Sequence, residues 1–211
     1  MPRARLPLIL VCLCTIGGCS HDPAVTGALS PSASNRIKVT GVAAKIVEGA
    51  RQQCHKPAKY DASYRSIPYP GGDVAADRGA CTDVIIRALR NAGYDLQKLI
   101  HEDMKENFSA YPRRGEKTDT NIDHRRVPNQ QHFFAKFGRQ LSIRTDGAFL
   151  KQWQPGDIVT WKLDSGLDHT GVLSDEIDIH GRPFVIHNLQ VTAEEDVLTS
   201  WKITGHYRFP K

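Results

Sequence analysis

Apolar positions recur along the chain in two rhythms, and the change between them falls between Phe137 and Ile158. Val42, Ile46, Ala50 and Cys54 return every four residues with Ala43 and Val47 beside them, which predicts an amphipathic helix. Val84, Ile85, Ala88, Leu89 and Ala92 form a second helical stripe, preceded by the breakers Pro70-Gly71-Gly72-Asp73 and Asp77-Arg78-Gly79 and closed by Gly93. Asp95 can cap a third helix carrying Leu96, Leu99, Ile100 and Met104, and Pro128 can open a fourth with Phe133, Phe134 and Phe137. The later runs are short and β-branched or aromatic: Ile158 to Trp161, Thr170 to Leu173, Phe184 to His187 and Trp201 to Phe209. Asp178-Ile179-His180-Gly181 suits a hairpin connection between the second and third. Helices followed by an antiparallel meander predict an α+β domain rather than alternating βαβ units.

The first forty residues follow neither rhythm. Arg3 and Arg5 precede an apolar run from Leu6 to Ile16 that ends in Gly17-Gly18-Cys19-Ser20, the layout of an export signal. Only 13 residues separate Arg5 from Cys19, short of the roughly 20 that a spanning helix needs. Ile16-Gly17-Gly18-Cys19 resembles a bacterial lipobox, in which the cysteine carries the lipid and begins the mature chain. Acyl chains there would hold the protein on a membrane by about 0.8 kcal/mol per buried methylene. Ser20 after the cysteine resembles the outer-membrane sorting pattern, so the expected location is the periplasmic face of the envelope, the outer membrane rather than the inner. Ser20 to Arg36 is rich in Ser, Pro and Gly and reads as a tether. The expected organisation is a signal peptide over 1–18, lipidated Cys19 with a tether over 19–36, and one domain over 37–211, acting as a monomer.

Composition narrows the partners. Hydrophobic residues are 40% and charged residues 24% of the 211, in the range of a globular chain. The net charge is +5, and without Arg3 and Arg5 it is +3, from 26 basic against 23 acidic residues. So small a surplus, spread along the chain, does not suit a nucleic-acid partner. Of the five cysteines only Cys54 and Cys81 remain in the folded region. Cys54 shares an apolar helix face, which reads as a packed thiol, with a bridge to Cys81 as the alternative.

Cys81 is different, because it stands where a helix begins. Unpaired N–H groups and the positive end of the helix dipole favour an anion there, which predicts a lowered thiol pKa and a better nucleophile. A cysteine nucleophile needs an imidazole to take and return its proton, and a polar group to orient that imidazole. His169 opens a strand after Gly166-Leu167-Asp168, where a loop can present it at a cleft. His187 ends the next strand, so antiparallel pairing can bring it beside His169.

Tyr69-Pro70-Gly71-Gly72, Cys81, Gln154-Pro155-Gly156-Asp157-Ile158-Val159, Asp168-His169-Thr170-Gly171-Val172 and Val185-Ile186-His187 occur in the order that marks the NlpC-like branch of the papain-like cysteine hydrolases. The chain resembles that branch from Tyr69 to Asn188. It departs at the nucleophile, where Ala80-Cys81-Thr82-Asp83 replaces the usual Asp-Cys-Ser-Gly. As a whole the chain also resembles an uncharacterised family of bacterial envelope proteins. The resemblance implies a papain-like fold with N-terminal helices packed on an antiparallel sheet. It also implies Cys81 as nucleophile, His169 as base and acid, and His187 as orienting residue with Asn188 as its substitute. Tyr69 would help position the substrate carbonyl, and the Cys81 N–H would stabilise the oxyanion.

Thr118 to Asn129 is a second conspicuous block, dense in hydrogen-bonding side chains. In one reading it is a substrate loop in which Arg125 or Arg126 grips a carboxylate, with Asp123 and His124 alongside and Asp83 and Asp168 near the nucleophile. In the other it is a solvated loop locked by internal ion pairs. Asp119, Asp123 and His124 could also contribute to a divalent-metal site, although that leaves Cys81 and His169 unexplained. The expected function is an envelope hydrolase without a cofactor that cleaves an amide in peptidoglycan stem peptides through an acyl-enzyme. The alternatives are a non-catalytic lipid-tethered binding protein and a metal-dependent envelope hydrolase.

Overall fold

The computed structural model describes residues 35–112 and 115–211. The predicted signal peptide, Cys19 and most of the tether lie outside the described residues. Four helices come first: α1 (Gly41–His55), α2 (Cys81–Asn91), α3 (Leu96–Asn107) and α4 (Val127–Phe137). Asp95 caps α3 by accepting from the Lys98 N–H at 3.2 Å, and Pro128 stands in the first turn of α4. The strands are β1 (Asn35–Arg36), β2 (Lys59–Tyr60), β3 (Arg78–Gly79), β4 (Arg139–Gln140), β5 (Ile158–Lys162), β6 (Asp168–Ile177), β7 (Pro183–Asn188), β8 (Thr192–Glu195) and β9 (Lys202–Arg208).

The main sheet is antiparallel in the order β4-β9-β5-β6-β7-β8, with β1 added to the far end of β6. Two sequence expectations need correction. The meander holds from β5 to β8, but β9 crosses back to pair with β5. Asn35 and Arg36, assigned to the tether, pair with Glu176 and Ile177, because the long β6 leaves backbone unpaired beyond the register of β5. The outcome is a mixed α+β fold.

Each main strand splits its side chains between two cores, as the two-residue period of a strand requires. Ile158, Val172 and Ile186 point to the helices, where Ile46, Ile85, Leu89, Ile100 and Phe134 meet them. Val159, Trp161, Leu173 and Val185 point the other way, under Trp153 and Leu198. Helix α2 is buried along most of its length and packs against α1 and β6. Its N-terminus is therefore held between the first helix and the sheet. Gly49 permits that approach of α1: a Cβ there would lie 2.5 Å from the Asn91 Cβ.

The Pro155-Gly156-Asp157 turn leads into β5. Gly156 has φ +85°, in the left-handed region that favours glycine. The buried Asp157 carboxylate accepts from the Gln154 N–H at 3.0 Å, from Arg208 Nε at 2.6 Å, and pairs with His206 Nε2 at 2.8 Å. One carboxylate thus fastens the start of β5 to the end of β9.

Candidate functional site

Cys81 is the first residue of α2 and is 4% exposed, at the base of a cleft of about 190 Å³ lined by Tyr60, Ala80, Arg126, Leu167 and Asp168. The carboxylate of Asp83 accepts from the Ala80 N–H at 2.6 Å and caps the helix from its third position. The N–H groups of Cys81, Thr82 and Thr170 lie near the sulfur and favour its anion. The thiol does not have the lowered pKa expected of a helix N-terminus. Removal from water outweighs those three donors, and the Asp83 charge adds to it, so the thiol is pushed up to about 12. Cys54 and Cys81 are both free thiols, and burial also raises Cys54, to about 11.

His169 follows from the sheet register. It lies opposite Trp161 of β5 and shares that residue's face of the sheet, and the N–H of the next residue, Thr170, lies near the Cys81 sulfur. His169 Nε2 is 2.8 Å from His187 Nδ1, as the strand argument predicts. Gly171 stands across from His187, and a Cβ at that position would lie 2.5 Å from Val185 Cγ1 and 3.2 Å from the His187 Cβ. Its bare backbone lets β6 and β7 approach and the two rings meet. His169 Nδ1 has no hydrogen-bond partner among the described residues, and the ring does not line the Cys81 cleft. Burial pushes the His169 pKa down to about 3 and lowers that of His187, so both rings rest neutral. Trp161 and Trp201 enclose the pair, with ring centroids 5.7–6.3 Å from the imidazoles.

Glu195 is a site residue that sequence reasoning missed. Its Oε2 lies 2.9 Å from His187 Nε2, on the far side of that ring from His169. Tyr60 is a second. Pairing of β2 with β3 sets Tyr60 beside Gly79, two residues before the thiol, and Tyr60 lines the cleft. Tyr69, expected to fill that role, instead packs its ring on His101 of α3 at 5.0 Å and does not line the Cys81 cleft.

Several expected substrate contacts are structural. Arg125 is buried and forms two 2.8 Å hydrogen bonds with the carboxylate of Asp83, so neither is free for a substrate. Arg125 also donates to the carbonyls of Ser63 and Asp61, which ties their loop to α2. His124 is 2% exposed, and burial pushes its pKa down to about 3. Asp123 is buried and accepts from the Asp119 N–H at 2.6 Å. Asn188 does not reach His169. Its amide donates to the carbonyls of Ala58 and Gly79, holding the segment before Cys81 against the sheet. Asp168 lines the cleft but is ion-paired with Lys162.

Arg126 is the exception in that block. It lines both the Cys81 cleft and a neighbouring hollow under Asp119 and Asp123, its Nε is buried without a partner, and its guanidinium has no ion pair within 4.0 Å among the described residues. Internal hydrogen bonds lock the rest of the block, from Asn121 to Tyr64, Asn129 to the Asp123 carbonyl and Gln130 to the His124 carbonyl. Among the described residues no three His, Cys, Asp or Glu side chains cluster to hold a metal ion, so Asp119, Asp123 and His124 are not arranged as ligands. No described helix is long and apolar enough to cross a membrane.

Residues 47–209 match the family model described as a domain of unknown function, DUF1287. The chain is also 49% identical over 167 residues to the "Uncharacterized protein YijF" of Escherichia coli (strain K12), covering 78% of this chain and 80% of that one. No solved structure matches. The matched span takes in Cys81, α2 to α4, most of α1 and β2 to β9, and the chain belongs to the DUF1287 family.

Proposed function

We propose that the protein is a cysteine hydrolase related to the NlpC-like branch of the papain-like enzymes, cleaving an amide through an acyl-enzyme on Cys81. One observation carries the reading: Cys81 begins a buried helix near the amide that follows His169, whose Nε2 is bonded to His187. In the resting protein thiol and imidazole are both neutral and not hydrogen-bonded to each other, as in many empty sites whose contacts tighten with substrate. As the sulfur attacks the carbonyl carbon, the thiol proton passes to His169 Nδ1. The tetrahedral oxyanion draws on N–H groups at the start of α2, where they have no carbonyl to bond within the helix. Collapse breaks the C–N bond, the amine leaves with the His169 proton, and water releases the acyl group by the reverse roles.

Arg126 suits a substrate carboxylate beside the scissile bond, because it lines the cleft and forms no ion pair within 4.0 Å among the described residues. That polarity, with the export signal and lipobox of the sequence, favours peptidoglycan stem peptides as the substrate class. The same proposal has Cys19 as lipid anchor at the periplasmic face of the outer membrane, the protein acting as a monomer.

The buried thiol, held near 12, favours a second reading, a lipid-tethered envelope binding module with an inert cysteine. Incubating purified sacculi with the full-length protein and separating the muropeptides decides between them. The hydrolase produces new peptide ends, and Cys81→Ala lowers their rate by about a thousandfold or more while the protein stays folded. Unchanged muropeptides with bound sacculi would establish the binding module instead.

A further inference from the structure

We propose that Glu195 is a positioning residue which, through two histidines in series, sets the nitrogen of His169 that receives the Cys81 proton. The inference rests on the hydrolase reading above for its use, but its geometry stands apart from any substrate. A carboxylate has only lone pairs to offer, so His187 Nε2, 2.9 Å from Glu195 Oε2, must carry a hydrogen and donate it. A neutral imidazole has one N–H, so His187 Nδ1 is left as an acceptor. The ring nitrogen 2.8 Å from it, His169 Nε2, must then be the donor. His169 Nδ1 keeps its lone pair, the requirement for a base.

The surroundings leave few competing arrangements. Both rings are buried, at 2% and 1% exposed, and both are lowered toward neutrality. The side chains packed on them are each other, Trp161 and Trp201, with Cys81 beyond the Thr170 amide and Glu195 as the charged group in contact. Strand β8 supplies this carboxylate: Glu195 pairs with Val185, two residues from His187 on the same face. The proton balance closes without net transfer along the chain of rings. The thiol proton adds to His169 Nδ1, the Nε2–H remains bonded to His187, and loss of the Nδ1 proton to the leaving amine restores the starting tautomer.

The test uses the full-length protein labelled with ¹⁵N-histidine. Its ring ¹⁵N–¹H correlation patterns separate the two tautomers, and they are read beside kcat and KM. The wild type is expected to hold both rings as Nε2–H. In Glu195→Lys, which can only donate, both rings should switch to Nδ1–H, and kcat should fall about tenfold or more with KM little changed. Glu195→Gln, whose amide oxygen can accept, should keep the wild-type tautomers with activity between the two. A wild-type His187 carrying Nδ1–H, or a Lys variant with unchanged tautomers, overturns the proposal even in an active enzyme. The expected tautomers in a protein that cuts no amide leave the positioning role standing and sink the hydrolase reading.

Discussion

Asp83 performs two tasks with one carboxylate: it caps the Ala80 N–H at the start of α2 and holds the buried Arg125 guanidinium. Removing one member of a buried, well-bonded ion pair strands the other's charge and typically costs roughly 3–5 kcal/mol. Arg125→Met is accordingly expected to lower unfolding free energy by about that amount, measured by urea denaturation; a loss below about 1 kcal/mol would show that the pair is not structural. Asp83→Asn in the same background should cost less than it does alone, since the two share an interaction. Arg125 and its neighbour Arg126 show what residue types alone conceal. A sequence marks both as cations in a polar loop, but a 3-10 turn over Asp123–Arg125 turns the first inward and leaves the second at the cleft.

At the scale of elements, α1 to α4 and β5, β6, β7 and β9 were legible because each carries an apolar period that its packing uses. The thiol at a helix start and the His169–His187 contact were legible for the same reason, since strand register follows from the alternation. Strands β2, β3 and β8 were not. Lys59–Tyr60 and Arg78–Gly79 are two residues each, and Thr192-Ala193-Glu194-Glu195 has no buried apolar alternation, so backbone pairing alone defines them. Tyr60 and Glu195 were missed with the elements that present them. Gly171 is the position on which the β6–β7 contact depends. Gly171→Ala should cost about 1–3 kcal/mol through overpacking and separate the two rings. Unchanged His169 and His187 imidazole resonances in that variant would contradict this.

For the whole molecule, burial of neutral histidines links the fold to pH. The pKa values of His124 and His169 drop from 6.5 to about 3 on folding, so between those values the unfolded chain binds more protons. Their contribution to stability is complete above about pH 6.5 and is lost as pH falls toward 3. The slope approaches roughly 1.4 kcal/mol per pH unit for each ring. Denaturation series from pH 7 to 4 should show that loss, and His124→Gln should make it shallower; equal slopes in variant and wild type would contradict the assignment. The same fold keeps the thiol protonated at rest, so the proposed reaction requires a substrate that brings sulfur and imidazole together. Intact-mass spectrometry of the full-length protein, quenched in acid during turnover of stem peptides, tests that most directly. The account predicts a mass gain equal to the substrate's acyl portion, mapped by peptide digestion to Cys81 and missing from Cys81→Ala. Peptide cleavage that continues in Cys81→Ala, with no adduct on the wild type, would contradict it.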